Sequence, residues 1–145
     1  YPGMIRLAER QDLDRIMEIW LEGNLQAHDF VDPDYWIGCF QEVREAIAQA
    51  DVWVWDENDR VEAFAGMVEH YLAGLFVSGA QRGKGIGGLL LEHIKEQRFP
   101  LTLHVYSWNA GAVQFYERHG FGTISEYIDP ETGQPEREMI FPPRS

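Results

Sequence analysis

A single cysteine, Cys39, stands in 145 residues. No internal disulfide can form within the chain, and no metal site can be built from several thiolates. Cys39 reads as a small buried apolar side chain, with a catalytic thiol as the alternative. Basic residues are scarce too: 12 Lys and Arg face 24 Asp and Glu, for a formal net charge of −12. A nucleic-acid partner needs a basic footprint, and this balance argues against one. The acidity suits a cationic substrate such as an amine, or serves only to keep the chain in solution. No stretch reaches the roughly 20 apolar residues that cross a bilayer as a helix. The opening YPGMIRLAER lacks the apolar run of a secretory signal, so a cytoplasmic location without membrane association is expected. The YPG before Met4 reads as an expression remnant, which leaves one expected domain at 4–145.

What is present is the composition of a folded domain. Hydrophobic residues make up 45%, with five Trp, six Tyr and eight Phe, enough for a sizeable core. There is no repeat, low-complexity linker or break in composition. Met4 to Ala8 suits a first strand. Leu13, Ile16, Met17, Trp20 and Leu21 follow the spacing of an amphipathic helix, with Gly23 and Asn24 offering an exit. LQAHDFVDPDYW suits a loop or a broken helix, from which Asp32 and Pro33 cap and open a second helix to about Ala48. DVWVWDENDRVEAFAGMVEH predicts a hairpin turning at DEND, and YLAGLFVS a third strand. A helix from about Gly85 to Gln97 follows, then a strand at LTLHVYS. Asn109 caps a short helix that Gly120 ends, and FGTISEYI and REMIF close the chain as a hairpin. The order β-α-α-β-β-β-α-β-α-β-β predicts an α/β protein with a mixed sheet rather than a βαβ array.

QRGKGIGGLLLEHI joins a strand to a helix. Helix N-termini present unpaired N–H groups and partial positive charge, and glycine lets the backbone approach an anion closely. Arg82 and Lys84 add full charges. A plain flexible turn is the alternative. The nucleotide P-loop pattern fails, because Gly85 follows Lys84 where Ser or Thr would hold magnesium. Gly83, Gly85 and Gly88 fit the dinucleotide spacing, but the loop lies mid-chain, without an early βαβ unit or an acidic residue about 20 positions on.

The segment Arg82-Gly83-Lys84-Gly85-Ile86-Gly87 resembles the central motif of the GNAT superfamily of acetyl-CoA-dependent N-acetyltransferases, [QR]-x-x-G-x-[GA]. Asn109 and Tyr116, seven residues apart inside NAGAVQFYERHGF, match a second family motif. The element order matches from Met4 to Phe141. Gly79 departs from the proline that many relatives carry in this loop. The resemblance implies a mixed, mostly antiparallel sheet flanked by helices. It implies that acetyl-CoA is the cosubstrate, without a metal, in a cleft between the strand ending LFV and the strand LTLHVY. Arg82, Gly83, Lys84, Gly85, Ile86 and Gly87 would hold the pyrophosphate. The main chain of Leu75, Phe76 and Val77 would pair with the pantetheine arm, and Val77 N–H would meet the acyl oxygen. Asn109 would touch the cofactor, and Tyr116 would be the general acid for the departing thiolate.

The implied partner is a primary amine on a protein lysine, a protein N-terminus or a small molecule, bound by a monomer or homodimer. The chain is also similar to small bacterial members that acetylate protein lysines or small amines. Glu69, His70, His28 and His104 are candidate bases for that amine, or ordinary solvated or hydrogen-bonded side chains. Water could relay the proton instead. His28, Phe30, Tyr35 and Trp36 line the acceptor site or pack on the core. A non-catalytic module that binds CoA or acetyl-CoA is the alternative to an enzyme, and Tyr116 speaks against it. A nucleotide-phosphate enzyme lacks its magnesium ligands.

Overall fold

A computed structural model describes residues 3–144; Tyr1 and Pro2 of the leading YPG, and Ser145, lie outside the described residues. Strand β1 (Gly3–Leu7) begins one residue before the expected Met4, with Gly3 paired to Glu57. Helices α1 (Leu13–Ala27) and α2 (Pro33–Gln49) follow, then β2 (Asp51–Glu57), β3 (Arg60–Val68) and β4 (Tyr71–Val77). The chain continues through α3 (Ile86–Gln97), β5 (Leu101–Tyr106), α4 (Ala110–Arg118), β6 (Gly122–Ile128) and β7 (Pro135–Phe141). This is the order the sequence predicts.

Local chemistry explains most boundaries. Asp32 caps α2 by accepting from Asp34 N at 2.9 Å, with Pro33 at the first helical position. The β2–β3 turn places Asn58 and Asp59 at φ of 54° and 64°, the left-handed pair a tight hairpin requires. The expected exit of α1 at Gly23 and Asn24 is not used. Gly23 sits where α1 meets β4, and a Cβ there would lie 2.6 Å from Phe76 Cδ1. Its glycine serves close packing, and the helix runs on to Ala27.

The seven strands form one sheet in the order β1-β2-β3-β4-β5-β7-β6. Only β4 and β5 pair in parallel. Alternation gives the sheet two buried faces. Val52, Val54 and Phe64 meet Ile16, Met17 and Trp20 of α1 on one face. Trp53, Ala65, Leu103 and Val105 meet Leu90, Leu91 and Ile94 of α3 and Val113 of α4 on the other. Cys39 is half-buried at the edge of the first cluster rather than fully enclosed.

One irregularity creates the site. Gly66 pairs with Gly74, but Met67 pairs with Leu72, so Ala73 is an extra residue in β4. A bulge bends its strand and strengthens the local twist. Beyond it β4 leaves β5: the two pair only at Tyr71↔Thr102 and Leu72↔Leu103. The rest of β4 and β5 diverge, opening a gap that joins the two faces of the sheet.

Candidate active site

The gap is the throat of a cavity of about 850 Å³. On the side of α3 and α4 it is walled by the loop after β4, the start of α3 and one face of α4. On the opposite side it is walled by Trp20, Asn24, His28, Trp36, His104 and Tyr106.

The main chain of β4 contributes directly. Ser78 N donates to Glu62 O at 2.7 Å, and the β3–β4 register continues as Ala63↔Val77, Phe64↔Phe76 and Ala65↔Leu75. Hydrogen-bonded and non-hydrogen-bonded pairs alternate along an antiparallel ladder. Leu75 and Val77 are therefore non-bonded positions, and their N–H and C=O groups point away from β3 into the gap. Phe76 bonds back to β3, and its side chain stacks on Phe64. Of the three expected main-chain contacts, Leu75 and Val77 face the cavity with their polar groups.

The loop has the features of an anion cradle. Gly83 and Gly85 adopt φ of 80° and 82°, and neither has an atom within 4 Å of a built Cβ. Here glycine is required by conformation rather than by space. The N–H groups of Ile86, Gly87 and Gly88 precede the first helical bond of α3, from Leu89 N to Gly85 O. Arg82 donates from Nε to Val77 O at 3.2 Å and from its guanidinium to Gln26 Oε1. Lys84 bonds Gln81 Oε1 at 3.1 Å and does not line the cavity. Neither cation has an acidic partner within 4.0 Å among the described residues, so both charges are uncompensated in an acidic protein.

A buried carboxylate, Glu62, fixes this loop. It is 7% exposed. Its Oε1 accepts from Arg15 at 2.7 Å and from Ser78 Oγ at 3.4 Å, and its Oε2 from Gln81 Nε2 at 3.0 Å. Burial pushes its pKa up, but the Arg15 and Gln81 hydrogen bonds win and hold it below the ordinary glutamate value. Glu22 adds a bond from Gly79 N at 3.0 Å. A proline at position 79 has no N–H to give, so the glycine of this chain carries a contact of its own.

Asn109 and Tyr116 lie two turns apart on α4. Asn109 Oδ1 accepts from Ala112 N at 3.2 Å, capping the helix and turning Nδ2 toward His28 Nε2 at 3.1 Å. Asn24 donates to Trp20 O at 2.9 Å, which leaves its Oδ1 to accept from His28 Nδ1 at 2.9 Å. Both neighbours thus specify neutral imidazole with the proton on Nδ1. Burial lowers the His28 pKa to about 4. His28 is therefore a neutral tie between α1 and α4, and it has no free nitrogen for an amine. Tyr116 is 9% exposed, lines the cavity, and its hydroxyl has no hydrogen-bond partner among the described residues. Burial, then the nearby Tyr71, raises its pKa, so the group stays a phenol at neutral pH.

Other expected acceptor residues fall differently. Trp36 and His104 line the cavity; Phe30, Tyr35, Glu69 and His70 do not. Phe30 packs edge-on against His28 and Tyr106, and Tyr35 donates to Glu131 at 2.9 Å. These are core and loop-tying roles. Glu69 and His70 form the β3–β4 turn, at the paired end of β4 rather than the splayed end, and His70 Nδ1 lies 3.0 Å from Pro100 O. Tyr71, Phe115, His119 and Glu136 also line the cavity. Phe115 and His119 sit inside the second motif, where helical spacing could have grouped them with Tyr116. Tyr71 and Glu136 are brought in by strand register, which the sequence does not display.

The family model described as acetyltransferase (GNAT) domain matches residues 48–123. The chain is 36% identical to the peptidyl-lysine N-acetyltransferase YiaC of Escherichia coli K12, over 96% of this chain and 97% of that protein. It superposes on the solution structure of apo YjaB from Escherichia coli with a TM-score of 0.86, at 25% identity, covering 98% and 99% of the two chains. A structure of YncA from Salmonella typhimurium with its cofactor acetyl-CoA matches with a TM-score of 0.70 at 21% identity, over 97% and 94%. The family model covers just over half of the chain and the similarity to YiaC nearly all of it, over a mostly antiparallel seven-stranded sheet: the chain belongs to the GNAT family of acetyltransferases.

Proposed function

We propose that residues 4–145 act as one domain that moves the acetyl group of acetyl-CoA to a primary amine, with a peptidyl lysine as the acceptor class. The observation that carries this reading is the unpartnered Tyr116 hydroxyl in the β4–β5 gap, beside the outward N–H groups of Leu75 and Val77. A site built only to bind has no need of a phenol hydroxyl that opens without a partner into the cleft.

The chain's residues divide the work. The amides of Ile86, Gly87 and Gly88 and the cation Arg82 suit the pyrophosphate, with Gly83 and Gly85 shaping the loop and Lys84 adding its charge from outside the cavity. Leu75 and Val77 offer strand-like main-chain partners to the pantetheine amides. Acetyl-CoA supplies an acetyl group activated as a thioester. Val77 N–H is the donor for the acyl oxygen as it gains negative charge. Tyr116 gives its proton to the sulfur as the thiol leaves. Burial disfavours a phenolate and a thiolate alike, so enclosure does not remove the driving force for that transfer. Asn109 orients α4 and keeps one N–H for the cofactor. The relative YiaC is named for peptidyl lysine, and the face of the sheet on which the amine would dock carries carboxylates and tyrosines suited to a cationic side chain.

The test is to incubate the purified protein with acetyl-CoA and a panel of lysine peptides, N-terminal peptides and small amines, following thiol release and product mass. Acetylation on the lysine ε-amine supports the reading. Tight binding of acetyl-CoA with no thiol release from any acceptor refutes it.

A further inference from the structure

The acceptor side of the gap holds a hydrogen-bonded array that the acetyl-transfer reading has not used. His104 on β5 pairs with Glu138 on β7, and Tyr127 on β6 pairs with Glu136 on β7. Register puts His104, Glu136, Glu138 and Tyr127 on one face of the sheet, the face shared with Tyr106 and opposite the core packed on α3. Helices α1 and α2 cover β2, β3 and β4 on that face, and their buried cluster reaches β5 only at Tyr106. Tyr127 Oη donates to Glu136 Oε1 at 2.9 Å and lies 3.0 Å from His104 Nδ1. Since its one proton goes to Glu136, Tyr127 must accept from His104 Nδ1–H. That leaves a lone pair on His104 Nε2, which stands 3.9 Å from Glu138 Oε2, too far for a hydrogen bond. The Tyr71 ring lies edge-on to His104, with centroids 5.3 Å apart. Tyr71, His104 and Tyr116 all line the cavity, so the array reaches the gap where the acid stands.

We propose that His104 Nε2 takes the proton from the acceptor ammonium, with Tyr127 and Glu136 holding the imidazole and Glu138 drawing the cation in. This rests on the acetyl-transfer reading and adds the base to it. The other candidates are engaged elsewhere. Both nitrogens of His28 are bonded, His70 lies at the closed end of β4, and His119 pairs with Glu92 on the opposite face. A neutral imidazole nitrogen with a free lone pair is also a chemically suitable proton acceptor. Tyr71, Tyr127, Glu136 and Glu138 are the titratable groups that face it.

The step balances as follows. His104 takes one proton from R–NH₃⁺, giving R–NH₂ and imidazolium. The nitrogen lone pair forms a bond to the acyl carbon as the carbon–sulfur bond breaks. Tyr116 gives its proton to the sulfur and regains one from the acylated nitrogen. The imidazolium releases its proton to water. The net change turns an ammonium and a thioester into an amide, a thiol and one proton. An acceptor already uncharged has no need of His104, and this separates the proposal from a merely structural role.

The experiment measures kcat/KM against pH for wild type, His104→Gln and Tyr127→Phe. It uses two acceptors: a lysine peptide and a fluorinated alkylamine that is uncharged at neutral pH. His104→Gln should lower the rate on the lysine peptide by about 10²-fold, the usual worth of a positioned base. It should abolish the fall in rate toward acid pH and leave the rate on the fluoroalkylamine and the affinity for acetyl-CoA near wild type. Tyr127→Phe should give a smaller loss on the lysine peptide alone. An unchanged acid limb in His104→Gln, or equal losses on both acceptors, overturns the assignment. If the wild type releases thiol with neither acceptor, the acetyl-transfer reading fails and the base assignment falls with it.

Discussion

Removing the carboxylate of Glu62 should loosen the cofactor loop from a distance. Glu62 ties α1 through Arg15 to the loop through Ser78 and Gln81. Breaking a buried ion pair by deleting one partner costs about 3–5 kcal/mol when the survivor stays dry. Arg15 keeps 22% of its side chain exposed, so water recovers part of that cost. About 2–3 kcal/mol is expected for Glu62→Ala, which for a domain of this size lowers Tm by about 5–10 °C. Glu62→Gln, which keeps the shape and the Gln81 contact, should cost about half as much. Because the folded pKa is depressed, the stability from Glu62 is present above its unfolded value near ~4.3 and is lost as pH falls through the folded value. Glu62→Ala should therefore flatten the acid side of the stability curve. Differential scanning fluorimetry with and without acetyl-CoA measures both effects. The variant should also gain less from ligand, since a weaker Kd reduces the ligand-linked term. A Tm within about 2 °C of wild type, with an unchanged ligand shift, would refute the claim that Glu62 holds the loop.

Three further outcomes follow from single residues. Gly85→Ala forces a side chain into φ of 82° with no clash to relieve; it should cost about 1–2 kcal/mol in chemical denaturation and weaken acetyl-CoA binding in calorimetry. Burial holds His28 at a pKa of about 4, against an ordinary 6.5. The unfolded chain thus binds the extra proton between those values, and stability is full above pH ~6.5 and declines by about 3 kcal/mol as pH falls to ~4. His28→Gln should erase that decline in urea titrations across the window. Gly23→Leu must displace Phe76 and the β4 main chain behind it; a Tm drop of several degrees and a loss of acetyl-CoA binding are expected, read by fluorimetry.

The elements were legible because their signals are local. Asp32-Pro33 announces α2, Asn109 caps α4, and the tight turn at Asn58 and Asp59 marks the hairpin. The glycine loop and α4 were legible for the same reason, since each is a contiguous motif. The acceptor side was not. Ala73 becomes a bulge only through the β3–β4 register, and without it β4 and β5 would not part. Glu62, Tyr127 and Glu138 meet partners on strands and loops more than ten residues away, and Glu136 meets Tyr127 across the β6–β7 hairpin. His28 and His70 show the limit most clearly. As sequence they were equal candidates for a base, and only their partners, Asn24 with Asn109 and the Pro100 carbonyl, remove them.

The central claim is that the Tyr116 hydroxyl, open and unpartnered at the β4–β5 gap, drives acetyl transfer by protonating the departing thiolate. Single-turnover kinetics of Tyr116→Phe with saturating acetyl-CoA and a lysine peptide tests it most directly. The account predicts acetyl-CoA affinity close to wild type and a transfer rate lower by about 10²-fold or more. An unchanged transfer rate at unchanged affinity would contradict it.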